Sequence, residues 1–158
     1  MSMITENVAQ IRSRIAAAAR AAGRDPADIR LCAATKMNDS AAVREAIAAG
    51  VDCCGENRVQ ELVKKLDEHA YDGAPVHFIG ALQRNKVRQV VGQVDVIESV
   101  DRRELLADIN AEAAKRGDAR AAGVLLKMLG EEAPQEDPGA DALENARKLL
   151  GGIDSAID

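Results

Sequence analysis

The sequence predicts an α/β fold made of parallel strand–helix repeats. Short apolar segments typical of buried strands recur roughly every 20 to 25 residues, and segments with the spacing of amphipathic helices separate them. Strands that alternate with helices form a parallel sheet, which closes as an open doubly wound sheet or as a (β/α)8 barrel. No G-x-G-x-x-G motif follows the first predicted strand. The sequence therefore favours a TIM-type barrel or a part of one.

The predicted elements follow in order along the chain. An amphipathic helix covers residues 3–22 and ends at Gly23, and its arginines are expected to form a solvated face. Residues 38–40 offer N-caps for the helix after the first strand, and Asp101 and Glu104 are spaced as a capping box for a later helix. The predicted strands are residues 29–36, 51–54, 76–79, 94–97 and 121–126.

A single incomplete barrel domain is expected over residues 1–158. It comprises an N-terminal helix at residues 1–24, five βα repeats at residues 25–128, and an acidic loop with a C-terminal helix at residues 129–158. A complete barrel needs eight strands and typically about 250 residues, so the closing strands are expected to be missing. The edge of such a sheet carries unpaired backbone groups, which favour a homo-oligomer or a C-terminal helix that covers the edge.

Composition argues against several classes of function. The net charge is −5 and the aromatic residues are Tyr71 and Phe78 alone, which argues against a nucleic-acid partner. No segment has the pattern of a membrane span or a secretion signal, so no membrane association is expected. The three cysteines lie in apolar surroundings and fit a reduced, cytoplasmic protein. The two histidines show no metal-ligand spacing, so no metal is expected.

The first predicted strand ends in a lysine. Residues 29–36, IRLCAATK, form an apolar run that ends at Lys36. Ligands of α/β proteins gather at the carboxyl ends of the parallel strands, so Lys36 stands where chemistry is expected. A lysine amine must lose its proton before it attacks a carbonyl, and partial burial at a strand end would favour the neutral amine. The alternative for a lysine in this position is a salt-bridged surface residue.

Two further motifs follow the next two strands. They are GENRVQE at residues 55–61 and HFIGALQRNK at residues 77–86. In combination and order with ATK at residues 34–36, they make the chain resemble the pyridoxal-phosphate-binding homeostasis proteins, a barrel family similar in fold to the N-terminal domain of alanine racemase. The resemblance is specific through about residue 99 and looser through the next helix.

The resemblance implies a cofactor and the residues that hold it. It implies that Lys36 binds pyridoxal 5'-phosphate as a Schiff base. It also implies that Asn57 lies beside the cofactor ring, with a helix cap as the alternative. His77 points either at the cofactor or into the barrel core. Glu56 caps the following helix, pairs with Arg58, or contacts the cofactor.

Three functions remain open after the sequence analysis. The first is a binder and carrier of pyridoxal 5'-phosphate without catalysis. The second is an alanine-racemase-like enzyme, which would need a proton-transfer residue opposite Lys36. A tyrosine is the natural choice for that role, but Tyr71 is expected in a helix-to-strand connection at the far end of the barrel. The third is a structural or interaction module without cofactor affinity. This third function is considered for two reasons. The chain resembles a family member that is truncated or internally deleted after the fifth strand. In addition, no segment matches the family's phosphate-binding serine, glycine and threonine motifs.

Overall fold

Four parallel strands form a sheet in which each strand pairs with the one before it. The structure is a computed structural model that describes residues 2–117. The strands found in these residues are β1 (Cys32–Ala34), β2 (Cys53–Glu56), β3 (Val76–Phe78) and β4 (Val96–Ile97), in the order β1-β2-β3-β4. A doubly wound sheet would reverse its strand order at a switch point, whereas a barrel winds in one direction. The predicted α/β fold of parallel repeats, wound as part of a barrel, is confirmed.

Five α-helices accompany the strands in the described residues. They are α1 (Met3–Ala21), α2 (Ser40–Ala48), α3 (Val59–Asp67), α4 (Val87–Val90) and α5 (Arg103–Lys115). The residues divide into two compact units, one of residues 2–81 and 94–99 with the sheet and α1 to α3, and one of residues 82–93 and 100–117 with α4 and α5. None of these helices combines the length and apolar character that crossing a bilayer requires.

The predicted boundaries agree with the structure in part. The N-terminal helix lies where it was predicted, and the side chain of Asp39 caps α2 by accepting from the amide of Ala42 at 2.8 Å. The predicted capping box is wrong, because α5 begins after Arg102 and its N-cap makes no side-chain hydrogen bond. Asp101 instead pairs with Arg102 at 2.7 Å. The predicted fifth strand and the predicted C-terminal helix lie outside the described residues.

The first strand is shorter than residues 29–36. Its ladder with β2 begins where Cys32 pairs with Cys53 and ends where Ala34 pairs with Gly55. Before the ladder, Asp52 accepts a hydrogen bond from the amide of Leu31. The strand thus begins where its neighbour begins, because a strand extends only as far as it has a partner for its backbone groups.

One predicted surface arginine ties the first helix to the sheet. Arg12 of α1 donates to the carbonyl of Gly50 at 2.7 Å and pairs with Asp52 at 2.6 Å. The expectation of a wholly solvated arginine face is therefore wrong for Arg12. The hydrogen bond from Arg12 is the main cause that holds the pKa of Asp52 below its usual value.

The two faces of the sheet differ in burial. Glu56 bonds to α3, and on the same face Cys54, Val76 and Phe78 are buried while Ala33 and Ile97 are half-buried. The opposite face carries Cys32, Ala34, Cys53, His77 and Val96, which we call the open face. Cys32, Ala34 and Val96 of the open face are exposed. In a barrel the corresponding face lines the interior.

Candidate functional site

Lys36 follows β1 at the carboxyl edge of the sheet. It lies in a turn two residues after Ala34, and it is exposed to solvent. The position matches the sequence prediction, but the partial burial on which the argument for a neutral amine relied is not found. The amine is open to an incoming ligand.

Helix α3 holds the backbone of the turn around Lys36. Met37 has a left-handed backbone with φ of 62°, which costs a non-glycine residue roughly 1 to 2 kcal/mol. Its amide donates to Glu61 Oε2 at 2.9 Å. The pKa of Glu61 lies below its usual value, mainly because its carboxylate accepts the hydrogen bond from the Met37 amide. The turn is therefore fixed by a carboxylate of the neighbouring helix.

A buried ion pair lies beneath the same turn. Glu56 ends β2 with its side chain fully buried, and Lys65 of α3 is 5% exposed. Lys65 Nζ donates to Glu56 Oε2 at 2.7 Å and to the carbonyl of Thr35 at 2.7 Å. The carbonyl of Thr35 belongs to the residue just before Lys36. The ion pair thus links the end of β1 to the end of β2.

The second oxygen of Glu56 faces the backbone after β2. Glu56 Oε1 accepts from the amide of Asn57 at 2.8 Å and from the amide of Arg58 at 3.4 Å. Glu56 therefore binds the backbone that leads into α3, whose N-cap, Arg58, makes no side-chain cap hydrogen bond. Pairing with the Arg58 side chain is wrong, because that guanidinium pairs with Glu61 at 3.4 Å.

Tyr71 joins the buried pair from the connection between α3 and β3. Its hydroxyl lies 3.4 Å from Glu56 Oε2, and the residue is 5% exposed. Burial is the main cause that raises the pKa of Tyr71 above its usual value. The phenol therefore stays protonated at neutral pH and serves as a hydrogen-bond donor on the helix side of the sheet. Tyr71 lies in the predicted helix-to-strand connection, and its hydroxyl reaches Glu56 at the end of β2.

Asn57 brings an unsatisfied acceptor to the carboxyl edge. Asn57 Oδ1 is buried and has no hydrogen-bond partner among the described residues. A buried amide oxygen without a partner destabilises the protein unless a ligand or water donates to it. Its position directly after β2 corresponds to that of Lys36 after β1. An unpartnered acceptor and an exposed amine thus follow neighbouring strands at this edge, which fits a polar ligand there.

Gly80 makes room for the backbone of Asn57. A Cβ atom on Gly80 would lie 2.2 Å from the carbonyl oxygen of Asn57 and 2.7 Å from its Cα. Those atoms are backbone and cannot move away as a flexible side chain could. Glycine is therefore required here by the close approach of the chain after β3 to the chain after β2.

Replacing Gly80 with alanine is expected to lower the free energy of unfolding by about 1 to 3 kcal/mol, because the methyl group displaces Asn57. Urea denaturation measures the change. The matched control is Ala81→Ser, an exposed neighbour, for which we expect a change within about 0.5 kcal/mol. Equal stability of the two variants would contradict the close approach.

His77 lies one position before the end of β3. It pairs in register with Gly55 and with Val96, and its Nδ1 lies 2.7 Å from Glu98 Oε1. Within residues 2–117, no hydrogen bond joins His77 to Lys36 or to Asn57. A role of His77 in cofactor binding therefore stays a prediction.

Sequence reasoning missed Lys65, Thr35 and Gly80. Lys65 had a signal, since it follows Val59 and Leu62 at the three-residue spacing of one helix face, and both of these are buried. A lysine on the apolar face of a helix indicates a buried partner. Gly80 follows the third strand, where a glycine at a strand end signals a close backbone approach.

Comparisons with known proteins show which proteins this chain is similar to. The chain is 48% identical over 102 residues to the pyridoxal phosphate homeostasis protein of Pseudomonas aeruginosa, covering 65% of this chain and 44% of that protein. It is 42% identical over 113 residues to the protein of the same name from Escherichia coli, covering 70% and 48%. PipY of Synechococcus elongatus, solved with PLP bound, matches with a TM-score of 0.63 and 28% identity, covering 98% of this chain and 83% of that one.

The chain spans about half the length of the curated relatives that it matches. No family profile matches it.

Proposed function

Because this chain belongs, over the part that they share, to the family of pyridoxal phosphate homeostasis proteins, we propose that it binds pyridoxal 5'-phosphate at Lys36 and holds it without catalysing a reaction. The observation that carries the proposal is the exposed amine of Lys36 at the carboxyl end of β1. Its turn is held by two side chains of α3, Glu61 and Lys65.

Each residue of the edge has its own part in the proposed binding. The cofactor supplies an aldehyde, with which a neutral lysine amine can condense. Lys36 offers an amine that is open to solvent and to a ligand. Asn57 Oδ1 accepts a hydrogen bond from a polar group of the ligand. The Glu56–Lys65 pair fixes the backbone before Lys36 and at Asn57, so both groups are held before a ligand arrives.

A carrier is favoured over a racemase-like enzyme by the contacts of Tyr71. Racemisation needs a second proton-transfer group across the ligand from the lysine. The sequence contains one tyrosine, and its hydroxyl bonds to Glu56 on the helix side of the sheet. Burial keeps the pKa of Tyr71 above its ordinary value, which disfavours proton transfer at neutral pH.

The experiment is a titration of the chain with pyridoxal 5'-phosphate and with pyridoxal, followed by borohydride reduction and mass spectrometry of the peptides. We expect an adduct on the peptide that contains Lys36. We expect similar affinities for the two aldehydes, because no segment of the sequence matches the phosphate-binding motifs that the resemblance implies. Absence of any adduct would contradict the proposal, and racemisation of free alanine would replace the carrier with an enzyme.

Replacing Asn57 with alanine is expected to weaken cofactor binding by about 1 to 2 kcal/mol, the usual cost of one lost polar contact. Asn57 Oδ1 has no partner among the described residues, so the substitution breaks no hydrogen bond of this oxygen. We therefore expect no loss in the free energy of unfolding from that source. Titration and urea denaturation of the same variant measure the two effects. Unchanged affinity would contradict a contact between the Asn57 side chain and the cofactor.

A further inference from the structure

Three soft donor side chains converge on the open face of the sheet. Cys32 of β1 and Cys53 of β2 pair directly across the ladder. His77 of β3 lies on the same face. One possible ligand atom from each residue lies within 4.8 Å of the other two. The cluster is formed by three different strands and does not include Lys36 or Asn57.

The donor set is one that zinc prefers. Two cysteine sulfurs and one imidazole nitrogen form the protein ligands of known three-ligand zinc sites, with Zn–S distances of about 2.3 Å and Zn–N distances of about 2.0 Å. Donors around a tetrahedral ion at those distances lie roughly 3 to 4 Å apart. The three donor atoms, within 4.8 Å of one another, are already close to that range.

Glu98 prepares His77 as a ligand. Its Oε1 lies 2.7 Å from His77 Nδ1, and among the described residues no hydrogen bond involves Nε2. A carboxylate at one ring nitrogen orients the imidazole and increases the basicity of the other, as it does for metal-bound histidines. The histidine side chain is 14% exposed. Its position is therefore constrained.

Access and room are present as well. Cys32 is exposed, whereas Cys53 is 3% exposed. Solvent therefore reaches the cluster from the side of β1. Gly55 lies at the next position of β2 on this face, and a Cβ there would lie 2.8 Å from Ile79 Cδ1 and 3.1 Å from Cys32 Sγ. The glycine makes room for both of these side chains.

We propose that Cys32, Cys53 and His77 form a binding site for a thiophilic divalent cation of the zinc type, with the fourth coordination position open to solvent. Binding forms two metal–sulfur bonds and one metal–nitrogen bond. Each thiol releases one proton to solvent, the imidazole binds in its neutral form, and no electron is transferred. In this site His77 is a metal ligand instead of a cofactor ligand.

The site is independent of the proposed cofactor function. It uses no residue of the carboxyl-edge turn, and its test contains no pyridoxal compound. A failure of metal binding would leave the adduct at Lys36 unaffected. A failure of adduct formation would leave the metal site unaffected.

The test is titration of the metal-free chain with Co²⁺ under a phosphine reductant that keeps the thiols reduced. We expect one equivalent of Co²⁺ to produce a near-ultraviolet thiolate-to-cobalt charge-transfer band with the visible spectrum of a tetrahedral ion. Zinc should displace the cobalt and remove both features. Absence of the charge-transfer band in the folded chain would overturn the proposal.

Variants assign the ligands. Cys32→Ser should lose the band, and circular dichroism checks that the variant is folded. Glu98→Gln should weaken binding roughly tenfold, as expected for a residue that orients a ligand. Cys54→Ala is the matched control, because Cys54 neighbours Cys53 but lies on the opposite face, and it should keep the band. A band that persists in Cys32→Ser, or that disappears in a folded Cys54→Ala variant, would overturn the assignment.

Discussion

Replacing Lys36 with alanine is expected to abolish covalent attachment of pyridoxal 5'-phosphate while leaving the fold intact. The side chain carries the amine of the proposed link, and it is exposed, so its removal leaves no cavity and no buried partner unpaired. The free energy of unfolding should change by no more than about 0.5 kcal/mol. Borohydride reduction followed by mass spectrometry measures the adduct, and urea denaturation measures the stability.

The matched control for this variant is Lys64→Ala. Lys64 lies on α3 with a side chain that is 74% exposed, and it pairs only loosely with Glu68 at 3.8 Å. It has the same amine and a similar access to solvent but lies on a helix instead of at a strand end. We expect its variant to keep the adduct in full. If Lys36→Ala retained the adduct at the level of this control, the assignment of Lys36 would be wrong.

Replacing Lys65 with methionine is expected to have the largest effect on stability. The substitution keeps much of the side-chain volume but removes the positive charge beside Glu56, whose side chain is fully buried. A buried carboxylate that loses its partner typically costs about 3 to 5 kcal/mol. It also removes the donor to the carbonyl of Thr35, so the turn before Lys36 loses an anchor. Urea denaturation should show a large shift in the midpoint.

A second substitution separates the charge effect from lost packing. The double variant Lys65→Met with Glu56→Gln lacks both charges of this pair, so we expect it to recover much of the stability that Lys65→Met loses. Lys64→Met, at the exposed neighbouring position, should change the free energy of unfolding by less than about 0.5 kcal/mol. No recovery in the double variant would mean that the charge of Glu56 is not the source of the loss.

The parts of the fold that follow from local pattern were predictable from the sequence. The first helix, the cap at Asp39 and the strand that precedes Lys36 all depend on residues close together in the chain. The strand order follows because sequential βα repeats place each new strand beside the last. The ends of the strands could not be predicted from local pattern, because each strand ends where its neighbour no longer offers a backbone partner.

Contacts between residues that are distant in the sequence could not be predicted from local sequence patterns. Lys65 and Glu56 are recognisable as a pair only once α3 lies on β2. The exposure of Lys36 depends on which elements cover the turn. The three donors of the proposed metal site come from three strands, so no ligand spacing links them in the sequence, and only the register of the sheet brings them together.

The strand connectivity also sets the order in which the sheet can assemble. Each strand pairs with the strand just before it, and paired residues lie roughly 20 positions apart in the chain, so each pairing closes a short loop at a small entropic cost. Synthesis proceeds from the N-terminus. A ribosome that has released α3 has therefore already released the strand partner of β1 and both members of the Glu56–Lys65 pair. The turn that carries Lys36 can be anchored before β3 exists.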